Sequence, residues 1–189
     1  IDYAKKQNES FLQFSSKIDL TNQYKNNITW TQKLKDAFRD DRIVPFFQPI
    51  YSIEANKITH FEALVRLIDK DGTINSPFYF LDVARQSKQY DKLSQLVIQK
   101  TFNYFRDKPF AFSVNISVSD IINNHFNSFL IEEIEKFPNP LKITFEIVES
   151  EGIENYEQVH SFIDKVKYYG CKISIDDFGS GYANFEHLI

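Results

Sequence analysis

The sequence predicts an α/β fold in which a parallel sheet curves into a barrel, and two observations carry that prediction. From Ile43 onward, strand-like and helix-like stretches alternate with a period of about 30 residues, the rhythm of βα units. Each later strand stretch has one apolar face and one face bearing polar groups. Strands of an open sheet covered by helices on both sides are usually apolar on both faces. Helices outside and polar side chains pointing inward, the arrangement of a barrel, accommodate both observations.

The elements follow in order. Residues 1–28 are polar and weakly patterned, with SFLQF as a strand-like island; they read as the end of another unit plus a linker. A helix is expected to begin at Thr29, capped with Gln32, with Trp30, Leu34, Ala37 and Phe38 on one face, and to end in RDDR. IVPFFQPIYS is extended, because its two prolines forbid a helix. After a turn at EANK, KITHFEALVRL alternates as a strand. DGTINSPFYFLDVARQS contains a turn, then Ser76 as cap and Pro77 at a first helical position. YDKLSQLVIQKTFNYF is helical, PFAFSVNISVS a strand, and DIINNHFNSFLIEEIEKF a helix starting on Asp120. LKITFEIVES is a strand, and NYEQVHSFIDKVKYYG an amphipathic helix stopped by Gly170. KISIDDFG is the last strand, followed by a glycine-rich turn.

Composition narrows the function. The chain has 189 residues, 42% hydrophobic and 16% aromatic, with 19 Phe and 10 Tyr, enough for a real core. Its net charge of −4 argues against a nucleic-acid polymer as partner. No apolar run approaches the roughly 20 residues of a membrane helix, and the N-terminus has no signal core. Cys171 is the one cysteine, which excludes a disulfide framework and a cysteine-based zinc site. A reducing cytoplasm is the expected compartment. The chain has no methionine, so it is expected to be a piece of a longer or processed protein.

Parity sorts the strand residues. Phe61, Ala63, Val65 and Leu67 oppose His60, Glu62, Leu64 and Arg66; Phe112, Val114 and Ile116 oppose Ser113, Asn115 and Ser117. Ile143, Phe145 and Ile147 oppose Thr144, Glu146 and Val148; Ile173 and Ile175 oppose Lys172, Ser174 and Asp176. Glu62, Asn115, Glu146 and Asp176 are the inward polar residues near the middle or carboxyl end of successive strands, at spacings of 53, 31 and 30, so each comes from a different strand. Three carboxylates converging without a cation would repel. Oxygen donors without cysteine or a histidine cluster suit Mg2+, Mn2+ or Ca2+. Asp177 on the following turn would serve a second metal, in the manner of two-metal hydrolysis of phosphodiesters.

Taken singly, each residue has a plainer explanation. Glu62 suits a solvated strand edge, Asn115 a bond to neighbouring backbone, and Glu146 and Glu149 a charged surface. Asp176 and Asp177 suit an Asx turn or a helix cap, and the GSG turn is weak evidence for a phosphate cradle. His60, His125, His160 and His187 show no ligand spacing. It is the conjunction across four successive strands that favours a metal site.

FQPI, FEALVR, NIS, EIVES and DDFGSGY occur in an order and spacing that resembles the EAL domain, a family of bacterial phosphodiesterases acting on the second messenger cyclic di-GMP. The resemblance runs from about Trp30 to the end, and DGTINSPFYFLDVA resembles the family's loop and helix after its signature. It implies a TIM-type barrel whose first strand runs against the others, and hydrolysis of cyclic di-GMP to linear pGpG with Mg2+ or Mn2+. It implies Glu62, Asn115, Glu146 and Asp176 as ligands of a first metal and Asp177 at a second, with Glu62, Asp176 and Asp177 as the catalytic set. Gln48, Leu64 and Arg66 resemble substrate contacts, Arg66 on a phosphate, and Glu149 supports the site. A homodimer of the intact domain is the expected assembly.

DYAKKQNESFLQF resembles the last helix and strand of a GGDEF domain, and NNITWTQKLKDAFRDDRIVPFFQPI the usual junction with an EAL domain, which would divide the chain into 1–28 and 29–189. The family pattern continues beyond DDFGSGY with a strand bearing a catalytic lysine, then further glutamates and a Gln-Gly loop, none of them within residues 1–189. The chain is thus expected to hold about five strands, the N-terminal two-thirds of the domain, and to be inactive by itself. The alternative function is a non-catalytic EAL domain that senses cyclic di-GMP.

Overall fold

The computed structural model describes residues 20–148 and 156–176. Helix α1 (Leu20–Arg39) leads into strand β1 (Ile43–Ser52), which turns back into β2 (Lys57–Ile68). A two-residue strand β3 (Ile74–Asn75), a 3-10 turn (Pro77–Tyr79) and the short α2 (Leu81–Gln86) precede α3 (Tyr90–Phe105). Then come β4 (Ala111–Ile116), α4 (Val118–Ile122), α5 (Asn124–Lys136), a second 3-10 turn (Pro140–Lys142), β5 (Ile143–Val148), α6 (Tyr156–Tyr168) and β6 (Lys172–Asp176).

The six strands form one sheet in the order β1-β2-β4-β5-β6, with β3 paired to β2 off that path. β1 is antiparallel to β2, while β2–β4, β4–β5 and β5–β6 are all parallel. The first strand thus runs against the rest, and the βα order places the helices over one face.

That face is the core. Phe112 is fully buried, stacked on Phe105 at 4.7 Å and edge-on to Phe102 at 5.5 Å and Phe137 at 5.6 Å. Val114, Ile116, Phe145 and Ile147 continue this layer toward α5 and α6. A second cluster joins Trp30, Leu34 and Ala37 of α1 to Leu67, Phe80, Ala84 and Leu93. Burial of such side chains is worth roughly 1.5–3 kcal/mol each before conformational entropy is charged.

Three local expectations are corrected. The helix covers Leu20–Arg39 and so does not begin at Thr29; Thr29 lies inside it and its Oγ1 donates to the Lys25 carbonyl at 2.9 Å, while Gln32 Nε2 donates to Asp36 at 3.3 Å. A hydroxyl with a helical carbonyl four residues behind it satisfies itself there and does not act as a cap. Ser76 makes no side-chain cap bond, and the segment it opens is a 3-10 turn that precedes α2. The helix expected from Asp120 is two helices: Ser117 caps α4, and Asn123 caps α5 by accepting from the backbone N–H groups of His125 and Phe126. Gly170 stops α6 as expected, with φ +90.

Candidate functional site

Strand alternation divides the side chains as the sequence predicts. Ala63, Phe112, Val114, Ile116, Ile143, Phe145 and Ile147 are buried under the helices. Glu62, Asn115 and Glu146 belong to the opposite face, where Glu62 and Glu146 are half-buried and Asn115 is exposed.

Asn115 links this face across strands. Its Nδ2 donates to Glu62 Oε1 at 3.1 Å. The two do not stand opposite each other in the ladder. Glu62 is in register with Ser113, and the parallel pairing ends one step later at Ala63 and Val114. On its other side Asn115 is in register with Glu146. Three adjacent strands therefore bring two carboxylates and one amide to a common face. Gln48 stands in register with Glu62 on β1.

Leu64 and Arg66 continue the Glu62 face of β2. Arg66 Nη1 donates to the Val65 carbonyl at 2.8 Å, and its guanidinium lies 5.9 Å from the Phe46 ring centre. Asp176 ends β6 in register with Val148, while Ser174 stands opposite Glu146. The Asp176 side chain, Asp177, Glu149, the DDFGSGY turn beyond Asp176 and residues 1–19 lie outside the described residues. Among the described residues, no group of three or more His, Cys, Asp or Glu side chains could hold a metal ion. What is described, Glu62 and Glu146 flanking the Asn115 amide, is an all-oxygen donor set that fits a hard divalent cation.

Beneath the site the face stays polar. Ser113 is fully buried and its Oγ has no hydrogen-bond partner. Burial holds the His60 imidazole below its ordinary pKa, and Lys172 pushes the same way.

The sequence marks Asp120 only as a helix start, and the structure makes it the centre of a second polar group. Asp120 is 1% exposed, and its Oδ2 accepts from the Ser117 N–H at 3.0 Å, Ser117 Oγ at 2.8 Å, Tyr90 OH at 3.2 Å and Ser94 Oγ at 3.3 Å. Burial raises the Asp120 carboxyl, against the pull of these donors, and pushes the Tyr90 hydroxyl up to about 12. The S-x-x-D spacing at Ser117 was the legible signal, since it is a capping-box pattern. Nearby, a cavity of ≈ 210 Å3 has Leu64 and Asn115 on its wall together with Pro77, Leu81, Leu93, Val97 and Ser94.

The family model described as "EAL domain" matches residues 31–189. The signaling protein YkoW of Bacillus subtilis is 27% identical over 191 residues, covering 98% of this chain and 24% of YkoW. The cyclic di-GMP phosphodiesterase PdeA of Borreliella burgdorferi is 28% identical over 170 residues, covering 87% of this chain and 25% of PdeA. The chain spans about a quarter of the length of these curated relatives. The crystal structure of the Bacillus subtilis YkuI protein, with an EAL domain, in complex with substrate c-di-GMP and calcium, superposes with a TM-score of 0.70 at 24% identity, over 82% of this chain and 41% of that one.

Proposed function

The chain belongs to the EAL domain family, and from that premise we propose that its parent protein hydrolyses cyclic di-GMP to linear pGpG with the help of Mg2+ or Mn2+. The observation that carries the reading is the Asn115–Glu62 bond, with Glu146 in register beside it: oxygen donors from three strands on one face. In hydrolysis, a water oxygen bonds to one phosphorus, the bond from that phosphorus to the ribose 3′ oxygen breaks, and the leaving oxygen takes a proton.

Glu62, Asn115, Glu146 and Asp176 would hold one cation and Asp177 would hold a second; the positive charge offsets the negative charge that grows on the phosphoryl oxygens. Arg66 binds a phosphate, and Gln48 and Leu64 hold the nucleotide, consistent with Gln48 standing beside Glu62 in the ladder. The apolar walls of the cavity at Leu64 suit a planar base. Glu149 supports the acids. We further take residues 1–28 as the end of a GGDEF-like unit, the intact domain as a homodimer, and the cytoplasm as the site of action. Among the described residues, no helix is long and apolar enough to cross a membrane.

The test is turnover of cyclic di-GMP by the full-length protein with Mn2+ or Mg2+. Release of pGpG supports the reading. Tight binding without turnover assigns a sensor role instead, and a folded protein that neither binds nor cleaves the nucleotide overturns both.

A further inference from the structure

On its β5 side β4 is paired through Ile116, past Asn115, but on its β2 side its ladder ends sooner. The β2 pairing stops at Val114, and the next residue is Asn115. Two residues on, Ser117 keeps an extended backbone, φ −95 and ψ 160. Its N–H and Oγ both donate to Asp120 Oδ2, and the Asp120 N–H donates back to Ser117 Oγ at 3.1 Å. A local cap needs no more than these bonds. Here the same carboxylate oxygen also gathers Tyr90 and Ser94 from α3, while Asp120 Oδ1 is buried without a partner. Burying a carboxylate with one oxygen unpartnered is costly. The helix it caps, α4, is five residues long and returns little for that cost. What the network adds is a tie to α3 at Ser117, two residues past Asn115 and just beyond the β5 ladder.

We propose that Asp120 is a positioning residue for Asn115: through Ser117 it anchors the end of β4 to α3, and so sets the direction in which Asn115 presents its amide to Glu62. The catalytic consequence rests on the reading of Asn115 as a metal ligand; the positioning itself does not. Groups that orient metal ligands commonly change metal affinity about 10–100-fold when removed.

The test uses the full-length protein with Asp120→Ala, the pair Tyr90→Phe with Ser94→Ala, which leaves the local Ser117–Asp120 bonds in place, and Asn115→Ala as reference. The Asn115 side-chain amide resonances are followed by NMR without metal, assigned by their loss in Asn115→Ala. Mn2+ affinity, kcat and KM are measured beside them, and the unfolding midpoint reports folding. In both Asp120-network variants the Asn115 signals are expected to move toward those of a solvated amide. The Mn2+ Kd rises about tenfold or more for Asp120→Ala, and kcat falls while KM changes little. If Asp120→Ala does not fold, the paired variant decides. A folded variant whose Asn115 signals do not move overturns the proposal and leaves Asp120 a helix cap. If the signals move but Asn115→Ala leaves Mn2+ binding unchanged, the positioning stands and the metal role of Asn115 falls.

Discussion

Asn115 on β4 donates to Glu62 on β2 across 3.1 Å, one residue beyond the point where the ladder between their strands ends. A side-chain bond thus joins the two strands where the backbone no longer does. It also couples the first acid of the proposed metal site to the amide beside it. The Asn115 side chain is exposed and belongs to neither apolar core cluster, so its contribution to function and its contribution to stability are separable.

Asn115→Ala and Glu62→Ala are each expected to lower hydrolysis of cyclic di-GMP at least about a hundredfold, since removing a ligand outweighs removing a group that only orients one. For Asn115→Ala the unfolding free energy should stay within about 0.5 kcal/mol of wild type. Steady-state kinetics and urea unfolding on the same preparations check both. Activity retained in either variant would remove that residue from the metal site.

Chelation of divalent cations should abolish turnover and leave the helical circular dichroism intact, because the two cores are built from apolar side chains on the opposite face of the sheet. Mn2+ or Mg2+ should restore the rate. Collapse of the helical signal on chelation would show that the cation is structural.

Asp120 predicts a pH dependence. Its folded-state carboxyl is raised above the ordinary value of 3.8, with burial the first cause. As pH rises, the unfolded chain gives up this proton first. The stability contributed by the group is therefore fully present below 3.8 and is lost as pH climbs through the folded-state value. Asp120→Asn, which has no such proton, should gain stability relative to wild type between about pH 3.5 and pH 7. Urea midpoints across that range give the comparison, and a pH-independent difference would contradict it.

Phe112→Ala should cost about 3–5 kcal/mol. The ring is fully buried and contacts Phe102, Phe105 and Phe137, three rings from two helix-layer segments, so the vacated space cannot close by one side chain moving. Denaturant unfolding measures it. A loss below about 1 kcal/mol would mean that the aromatic cluster repacks.

Gly170→Ala should cost about 1–2 kcal/mol, because the backbone there is left-handed at φ +90 and a Cβ would lie 3.2 Å from Leu141 Cδ2. The same measurement checks it.

Much of the architecture was legible because it depends on local repetition. The period-2 alternation of Phe112, Val114 and Ile116 against Ser113 and Asn115 needs no partner to be read, and the two faces are found as that parity predicts. The helix boundaries were less legible. Thr29 and Ser76 have the chemistry of caps, but one sits inside a longer helix and the other opens a 3-10 turn. Short polar side chains satisfy themselves in several backbone settings, and the surrounding chain selects among them. Asp120 looked like a helix start; its burial under Tyr90 and Ser94 depends on where α3 lies, 26 to 30 residues earlier in the chain.

By itself the sequence determined the α/β alternation and the apolar and polar faces of the strands, with Glu62, Asn115 and Glu146 on the polar one, because side-chain direction along a strand follows from backbone geometry alone. Only the tertiary structure decided the register that puts Asn115 beside Glu146 and within reach of Glu62, and the tie from Asp120 to α3. Register depends on how far one strand slides past the next, and that is settled by packing between residues distant in sequence, not by the pattern within any one strand.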